Sequence, residues 1–236
     1  MKFRKYLVEV SIGVCLLCAA ASAHAVSIEV SRLISAWNNV VIDSPNTLDG
    51  EGTNKIMWGL PINEGDHSAF LFDNTSASAG QVNSPFSLGQ FTYFNKLVTG
   101  ETPESAELHL DAAFDIGGTS VSANNLDVQF RLHQIPGQCG RPNCSRDLVK
   151  LKNTEGIATF VVDGAAYTLN ILGFMTDDGL KTVLHSFDDS ESRVELVGEF
   201  TVTAIPEPGT LGLALFGFAV LLVCRRRRMR VTHPYR

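Results

Sequence analysis

The segment SAELHLDAAFDI, residues 105–116, alternates strictly: Ala106, Leu108, Leu110, Ala112 and Phe114 share one parity, and Glu107, His109, Asp111 and Ala113 the other. A period of two fits a strand with one face on a core and one in water, and it cannot be wound into an amphipathic helix. The segment LDVQFRLHQ repeats it, with Leu126, Val128, Phe130 and Leu132 against Asp127, Gln129, Arg131 and His133. The two segments are expected to be antiparallel neighbours. In IATFVVDGAAYTLNILGF, Asp163-Gly164 supplies positive-φ turn residues between two β-branched or aromatic runs, which predicts a hairpin. RVELVGEFTVTAI places Val194, Leu196, Phe200 and Val202 on a common face, and NKIMWGLP, SAFLFDN and LGQFTYFN read as shorter strands between Gly, Asn, Ser and Pro clusters. Between the two ends of the chain no helical period of convincing length competes. The expected fold is all-β, an antiparallel β-sandwich without internal repeats or an internal linker.

The ends read differently. Lys2, Arg4 and Lys5, the apolar run VEVSIGVCLLCAAASA and Ala23-His24-Ala25 have the order of a secretory signal peptide over residues 1–25, despite Glu9 in the apolar run. Leu17 before Cys18 is bulky where a lipobox wants a small residue, so cleavage before Val26 is favoured over lipidation. Residues 26–207 carry ten Lys and Arg against twenty-four Asp and Glu, a net charge of −14, while the two ends hold the other nine basic residues. An acidic body argues against a nucleic-acid partner. Export also bears on Cys139 and Cys144 in PGQCGRPNCSRD, the two cysteines left in the body. In an oxidising compartment they are expected to close one short disulfide loop; a metal site there would need more ligands than the lone His133 nearby.

The close of the chain, from residue 204 to residue 236, has three parts in order: Pro206-Glu207-Pro208, the sixteen uncharged residues GTLGLALFGFAVLLVC, and Arg225, Arg226, Arg227 and Arg228. At 1.5 Å per residue the apolar run reaches roughly 24 Å, a minimal span for a hydrocarbon core of about 30 Å. The arginines would hold its C-terminal end in the cytoplasm, leaving the body outside. The two prolines impose an extended, unpaired backbone around Glu207, the form that a protease or transpeptidase binds.

This tail resembles the PEP-CTERM sorting signal. The resemblance implies recognition by an exosortase, a membrane cysteine transpeptidase-like enzyme, in a Gram-negative bacterium. The protein would be held in the inner membrane by the single C-terminal transmembrane helix before processing, then released to the cell surface or an extracellular matrix, often an exopolysaccharide or biofilm setting. Within the body, residues 48–203, two further motifs resemble the exported domains called choice-of-anchor K and the related THxN family: Gly52, Thr53, Asn54, Trp58, Gly59 and Pro61, followed by Leu88, Gly89, Phe91, Thr92 and Asn95. That family implies a β-sandwich of unassigned biochemical function. Tyr93 stands where the family has histidine, and a phenol with a pKa of about 10 is a poor metal ligand and a poor acid-base group at neutral pH.

Catalytic signatures are few. The chain lacks a Gly-x-Ser-x-Gly elbow, a His-Glu-x-x-His pair, a P-loop and a dinucleotide fingerprint. Asp177-Asp178 and Asp188-Asp189 sit in turn-like settings, and adjacency in sequence does not place two carboxylates across a cleft. LDGEGTN, LFDNTS and TDDG offer hard oxygen ligands in Gly-containing or polar loops, so a structural Ca²⁺ is the one cofactor weighed against none. Trp37, Trp58, Tyr93, Phe94 and Tyr167 could stack on sugar rings, although Trp58 has the setting of a core residue. The expected function is an exported, non-enzymatic surface or matrix protein with no catalytic residues. A carbohydrate-binding module attached to the exopolysaccharide is the first alternative and a secreted hydrolase, recognised by converging carboxylates or a His-carboxylate dyad in a cleft, the second.

Overall fold

The computed structural model describes residues 26–204, apart from 44–46, 63–64, 75–76, 137–144, 153 and 155–156. The signal peptide expected over 1–25, Cys139 and Cys144, the Pro206-Glu207-Pro208 tripeptide, the apolar span and Arg225 to Arg228 lie outside the described residues. Among the described residues every regular element is a strand, and none forms a helix able to cross a membrane.

In chain order the strands are β1 Ser27–Val41, β2 Lys55–Trp58, β3 Leu60–Pro61, β4 Ser68–Asp73, β5 Gly80–Gln81, β6 Pro85–Asn95, β7 Val98–Thr99, β8 Ser105–Ile116, β9 Thr119–Pro136, β10 Ser145–Lys152, β11 Ala158–Val162, β12 Ala165–Thr176, β13 Gly179–Lys181, β14 Val183–Phe187 and β15 Ser190–Ala204. One sheet runs β14-β10-β9-β8-β1-β5. The other runs β11-β12-β15-β6-β4-β2, with β13 on β12, and β3 pairs with β7 in a small separate ribbon. All pairings are antiparallel.

The apolar faces of the two large sheets meet. Trp37 and Phe130 from the first sheet lie 5.5 Å and 6.4 Å from Phe70 of the second, and Phe91 sits 5.1 Å from Phe130 and 5.4 Å from Phe174. A second aromatic group, Phe114 with Phe160 and Phe200, closes the same interior further along, at centroid distances of 6.0 Å and 5.1 Å. Offset and edge-on ring pairs of this kind contribute about 0.5–1.5 kcal/mol each beyond the area they bury.

The alternating segments fold as their periodicity demands. In β8, Ala106, Leu108, Leu110, Ala112, Phe114 and Ile116 are all buried, and β9 pairs beside it with Leu108 opposite Val128. Asp163 (φ 48°) and Gly164 (φ 73°) make the tight turn between β11 and β12. Val194, Leu196 and Phe200 of β15 are buried as expected, but Val202 is 40% exposed. Beyond Glu199 the strand loses its β6 partner and runs on against β12 alone, so the last of the four apolar positions lacks a neighbour on one side.

Bulges account for the rest. Ser31 drops out of register in β1, its hydroxyl bonding the Ala113 carbonyl at 3.0 Å, and a second shift follows Asn38, where Asn39 has φ 50°. In β9 the extra residue falls at Asn124-Asn125, opposite Asp111 of β8. Asn125 takes φ 64° and its N–H donates to the Asp111 carboxylate at 3.1 Å. The inward parity of β9 therefore switches from odd (Ala123) to even (Leu126, Val128, Phe130, Leu132) in mid-strand.

Candidate functional site

The first body motif, Gly52-Thr53-Asn54, is a backbone clamp on Trp37. The Gly52 N–H donates to the Trp37 carbonyl at 2.7 Å, the Trp37 N–H to the Thr53 carbonyl at 2.7 Å, and the indole Nε1–H to the Asn54 carbonyl at 3.0 Å. The Asn54 carbonyl also accepts the Phe72 N–H at 2.9 Å, and the Asn54 amide donates back to the Phe72 carbonyl at 3.3 Å. The Thr53 hydroxyl spans the turn between the Gly50 and Lys55 carbonyls at 2.7 Å and 2.8 Å. Two backbone carbonyls of LDGEGTN, those of Thr53 and Asn54, thus hold a buried tryptophan whose indole donor would otherwise be orphaned, while the Asp49 and Glu51 carboxylates accept from the Gly50 and Val40 N–H groups. Trp58 is buried against Phe70 at 4.9 Å. Gly59 has φ 75°, and a Cβ there would fall 2.5 Å from the Val98 side chain; Pro61 follows in β3 opposite Val98. This corner is where β2 hands over to the small ribbon.

The second motif fills β6. Leu88, Phe91, Thr92 and Asn95 are buried, and a Cβ on Gly89 would lie 2.5 Å from the Phe72 ring, so glycine lets that ring cross the strand. Tyr93 points into the interior and donates its hydroxyl to Oδ2 of Asp147, which comes from β10 in the opposite sheet. Asp147 has no exposed surface at all. Burial, then the Asp147 charge and hydrogen bond, and finally the Asp188 charge hold the Tyr93 hydroxyl well above its usual pKa. Burial also raises Asp147 above the ordinary carboxylate range, with the Asp188 charge adding to it; the Tyr93 hydrogen bond and Gln134, directly across the ladder, pull the other way. Ser186 lies beside Asp147 in register and exchanges hydroxyl contacts with Ser190 at 3.2 Å and Ser192 at 3.1 Å. Asn95, opposite Ser190, keeps its buried amide nitrogen without a partner among the described residues.

This buried polar cluster at one end of the interior escaped sequence reading. Asp147 sits 54 residues from Tyr93, and the apolar Leu148 beside it masks its inward parity with Val149 and Leu151. The phenol and the carboxylate are both sealed away from solvent. The pair ties the two sheets together.

The open surface lies beside it. A groove of about 960 Å³ runs between β14 and the β12–β13 turn, with Met175, Asp177, Asp178, Lys181, His185 and Phe187 among its walls. Its acids and imidazole do not converge on one another: His185 Nε2 faces Arg146 at 3.3 Å and Glu191 pairs with Arg193. A His-carboxylate contact does exist at His109, whose Nδ1 lies 2.7 Å from Asp127 and whose Nε2 lies 3.6 Å from Asp111. That pair sits across the β8–β9 ladder on its solvent side and lines none of the described depressions. Among the described residues no three His, Cys, Asp or Glu gather to hold a metal ion. Of the aromatics considered for sugar stacking, Trp37, Trp58, Tyr93 and Tyr167 are core residues, and Phe94 is half-buried with the Lys55 ammonium 5.5 Å from its ring. Phe187, which sequence reading passed over, is the exposed aromatic among the described residues.

β15, paired with β6 as far as Glu199 and with β12 to its end, has Ala204 as its last residue. A search among curated proteins gave no match for the chain. Comparison with protein families matched the PEP-CTERM protein-sorting motif over residues 204–228, beginning on the last residue of β15 and ending on the last arginine of the cluster. The chain therefore carries a PEP-CTERM sorting motif, the mark of an exported protein held in the membrane until an exosortase processes it.

Proposed function

We propose that the protein is a non-enzymatic component of the bacterial surface or extracellular matrix, with the β-domain as cargo and the tail as its address. The observation that carries this reading is the sorting motif joined without a spacer to a central strand. It is supported by the use to which the body puts its chemically capable residues: Trp37, Asn54, Tyr93 and Asp147 are consumed in holding the sheets together. A signal peptide over 1–25, a sandwich over 26–203 of the THxN type and a sorting signal over 204–236 complete the proposed organisation, in a Gram-negative host with exopolysaccharide outside the cell. Calcium enters this reading only as a ligand to be tested, by the melting temperature with millimolar Ca²⁺ and with chelator.

Intact mass of the protein from its native host tests the proposal. Loss of the residues after Pro208 is expected, and replacing Pro206-Glu207-Pro208 by three alanines should leave an inserted, unprocessed chain. A wild-type protein that keeps residues 209–236 would reduce the tail to a plain anchor.

A further inference from the structure

The outer face of β9, β10 and β14 runs against the charge of the body that carries it. Alternation in β10 sends Asp147, Val149 and Leu151 inward and leaves Arg146, Leu148, Lys150 and Lys152 on the other side. The β9 register sets Arg131 directly opposite Lys150 and His133 opposite Leu148. Like charges directly opposite each other in an antiparallel pair are destabilising. Among the described residues neither Arg131, Lys150 nor Lys152 has an ion-pair partner to offset this. These three are drawn from only ten basic residues in a body with a net charge of −14, so their gathering is not a consequence of composition.

The cations border a depression of about 460 Å³ that Leu148, Val183 and one acid, Glu104, also line. Along the same face, beyond His185, Phe187 stands 50% exposed opposite Arg146. The surface thus offers apolar side chains, a row of cations without an ion-pair partner among the described residues and, at one end, an exposed aromatic ring. A linear polymer with repeated carboxylates and apolar ring faces complements all three, because carboxylates meet the Lys and Arg heads while a sugar's C–H face stacks on phenyl.

Placement argues against a lipid surface as the occupant. The Asp188-Asp189 turn joins Phe187 to β15, which then runs from Ser190 to Ala204 toward the membrane-bound tail. Fourteen residue steps at about 3.3 Å put the Phe187 end of the face roughly 46 Å along the strand from the point where the tail leaves.

From these observations we infer that the outer face of β9, β10 and β14 binds an acidic polysaccharide, with Arg131, Lys150 and Lys152 contacting carboxylates and Phe187 stacking on a sugar ring. The inference rests on the proposed matrix role only in placing such a polymer outside the cell, and its test is independent of sorting. Full-length protein in neutral detergent micelles would be titrated with polygalacturonate, with dextran as the uncharged polymer and with single-stranded DNA of matched charge. Binding to polygalacturonate that weakens with added salt, and little binding to dextran, is the expected result. K150E/K152E should weaken it at least tenfold and Phe187→Ala severalfold, both with unchanged β-sheet dichroism. No binding to polygalacturonate, or affinity unchanged in K150E/K152E, would overturn the site. Equal affinity for the DNA, insensitive to Phe187→Ala, would make the face a generic polyanion surface and overturn the glycan assignment.

Discussion

The middle of the interior and its Tyr93 end solve the same problem with opposite chemistry. In the middle, Trp37, Phe70, Phe91, Phe130 and Phe174 fill the space between the sheets with rings, and the one polar atom among them, the indole nitrogen, is satisfied by a backbone carbonyl. At the end, a phenol, a carboxylate and the Ser186 hydroxyl occupy the equivalent space, with Ser190 and Ser192 half-buried beside them. Apolar packing there would have been simpler, since a buried carboxylate is stable only while its partners remain in place. The difference teaches that stability resides in the middle, whereas the polar end makes stability depend on pH and on single hydrogen bonds.

Breaking the middle should have the largest effect. Phe91→Ala removes a ring that touches Trp37, Phe70, Phe130 and Phe174 and should cost about 3–5 kcal/mol, read from the denaturant midpoint. A loss below 1 kcal/mol would mean that the two sheets do not meet there. Next comes Tyr93→Phe, which keeps the ring and deletes the donor to Asp147; about 1–3 kcal/mol should be lost at neutral pH. The loss should shrink in acid, where Asp147 is protonated and its need for a donor falls.

The pH profile sharpens the contrast. Because the Asp147 pKa is raised in the folded state, the folded protein holds that proton more tightly than the unfolded chain. Its contribution to stability is full below the ordinary value of 3.8 and is lost as pH rises through the raised folded value. Tyr93 acts with the same sign above its ordinary value of 10.0. Asp147→Asn retains an acceptor for the phenol without the charge, so it should flatten the acid limb and match or exceed the wild type at pH 7. A variant with the wild-type slope would remove Asp147 as its cause. The smallest effect is expected for Phe187→Ala, within about 0.5 kcal/mol in thermal or denaturant unfolding, because an exposed ring supports neither region.

Legibility followed the regularity of the backbone. β8, the second half of β9 and the β11–β12 hairpin could be read because their period and turn residues are uninterrupted. β1 could not: the bulge at Ser31 sets Ile28 and Leu33 inward at a spacing of five, which breaks the period of two, and a second bulge follows Trp37. β10 was hidden by Asp147, an inward acid that breaks the apolar alternation. The tail was legible because its signal is linear, a fixed order of proline, apolar and basic segments that needs no tertiary structure. Tyr93 was noticed as a departure from a family pattern, yet its role depends on a residue in the other sheet, a relation that a periodic reading of one strand does not contain. The cationic face had the same obstacle, for Arg131 and Lys150 become neighbours only through the β9–β10 register.

The position of β15 has a mechanical consequence. It is hydrogen-bonded to β12 along one side and, as far as Glu199, to β6 along the other, and the sorting motif begins on its last residue. While the tail remains in the membrane, drag on the body pulls β15 along its own axis. Both ladders are then loaded in shear, so many bonds must fail together; a tether on an edge strand such as β2 or β11 could instead be peeled one bond at a time. The body is fastened by one of the strands best placed to bear tension.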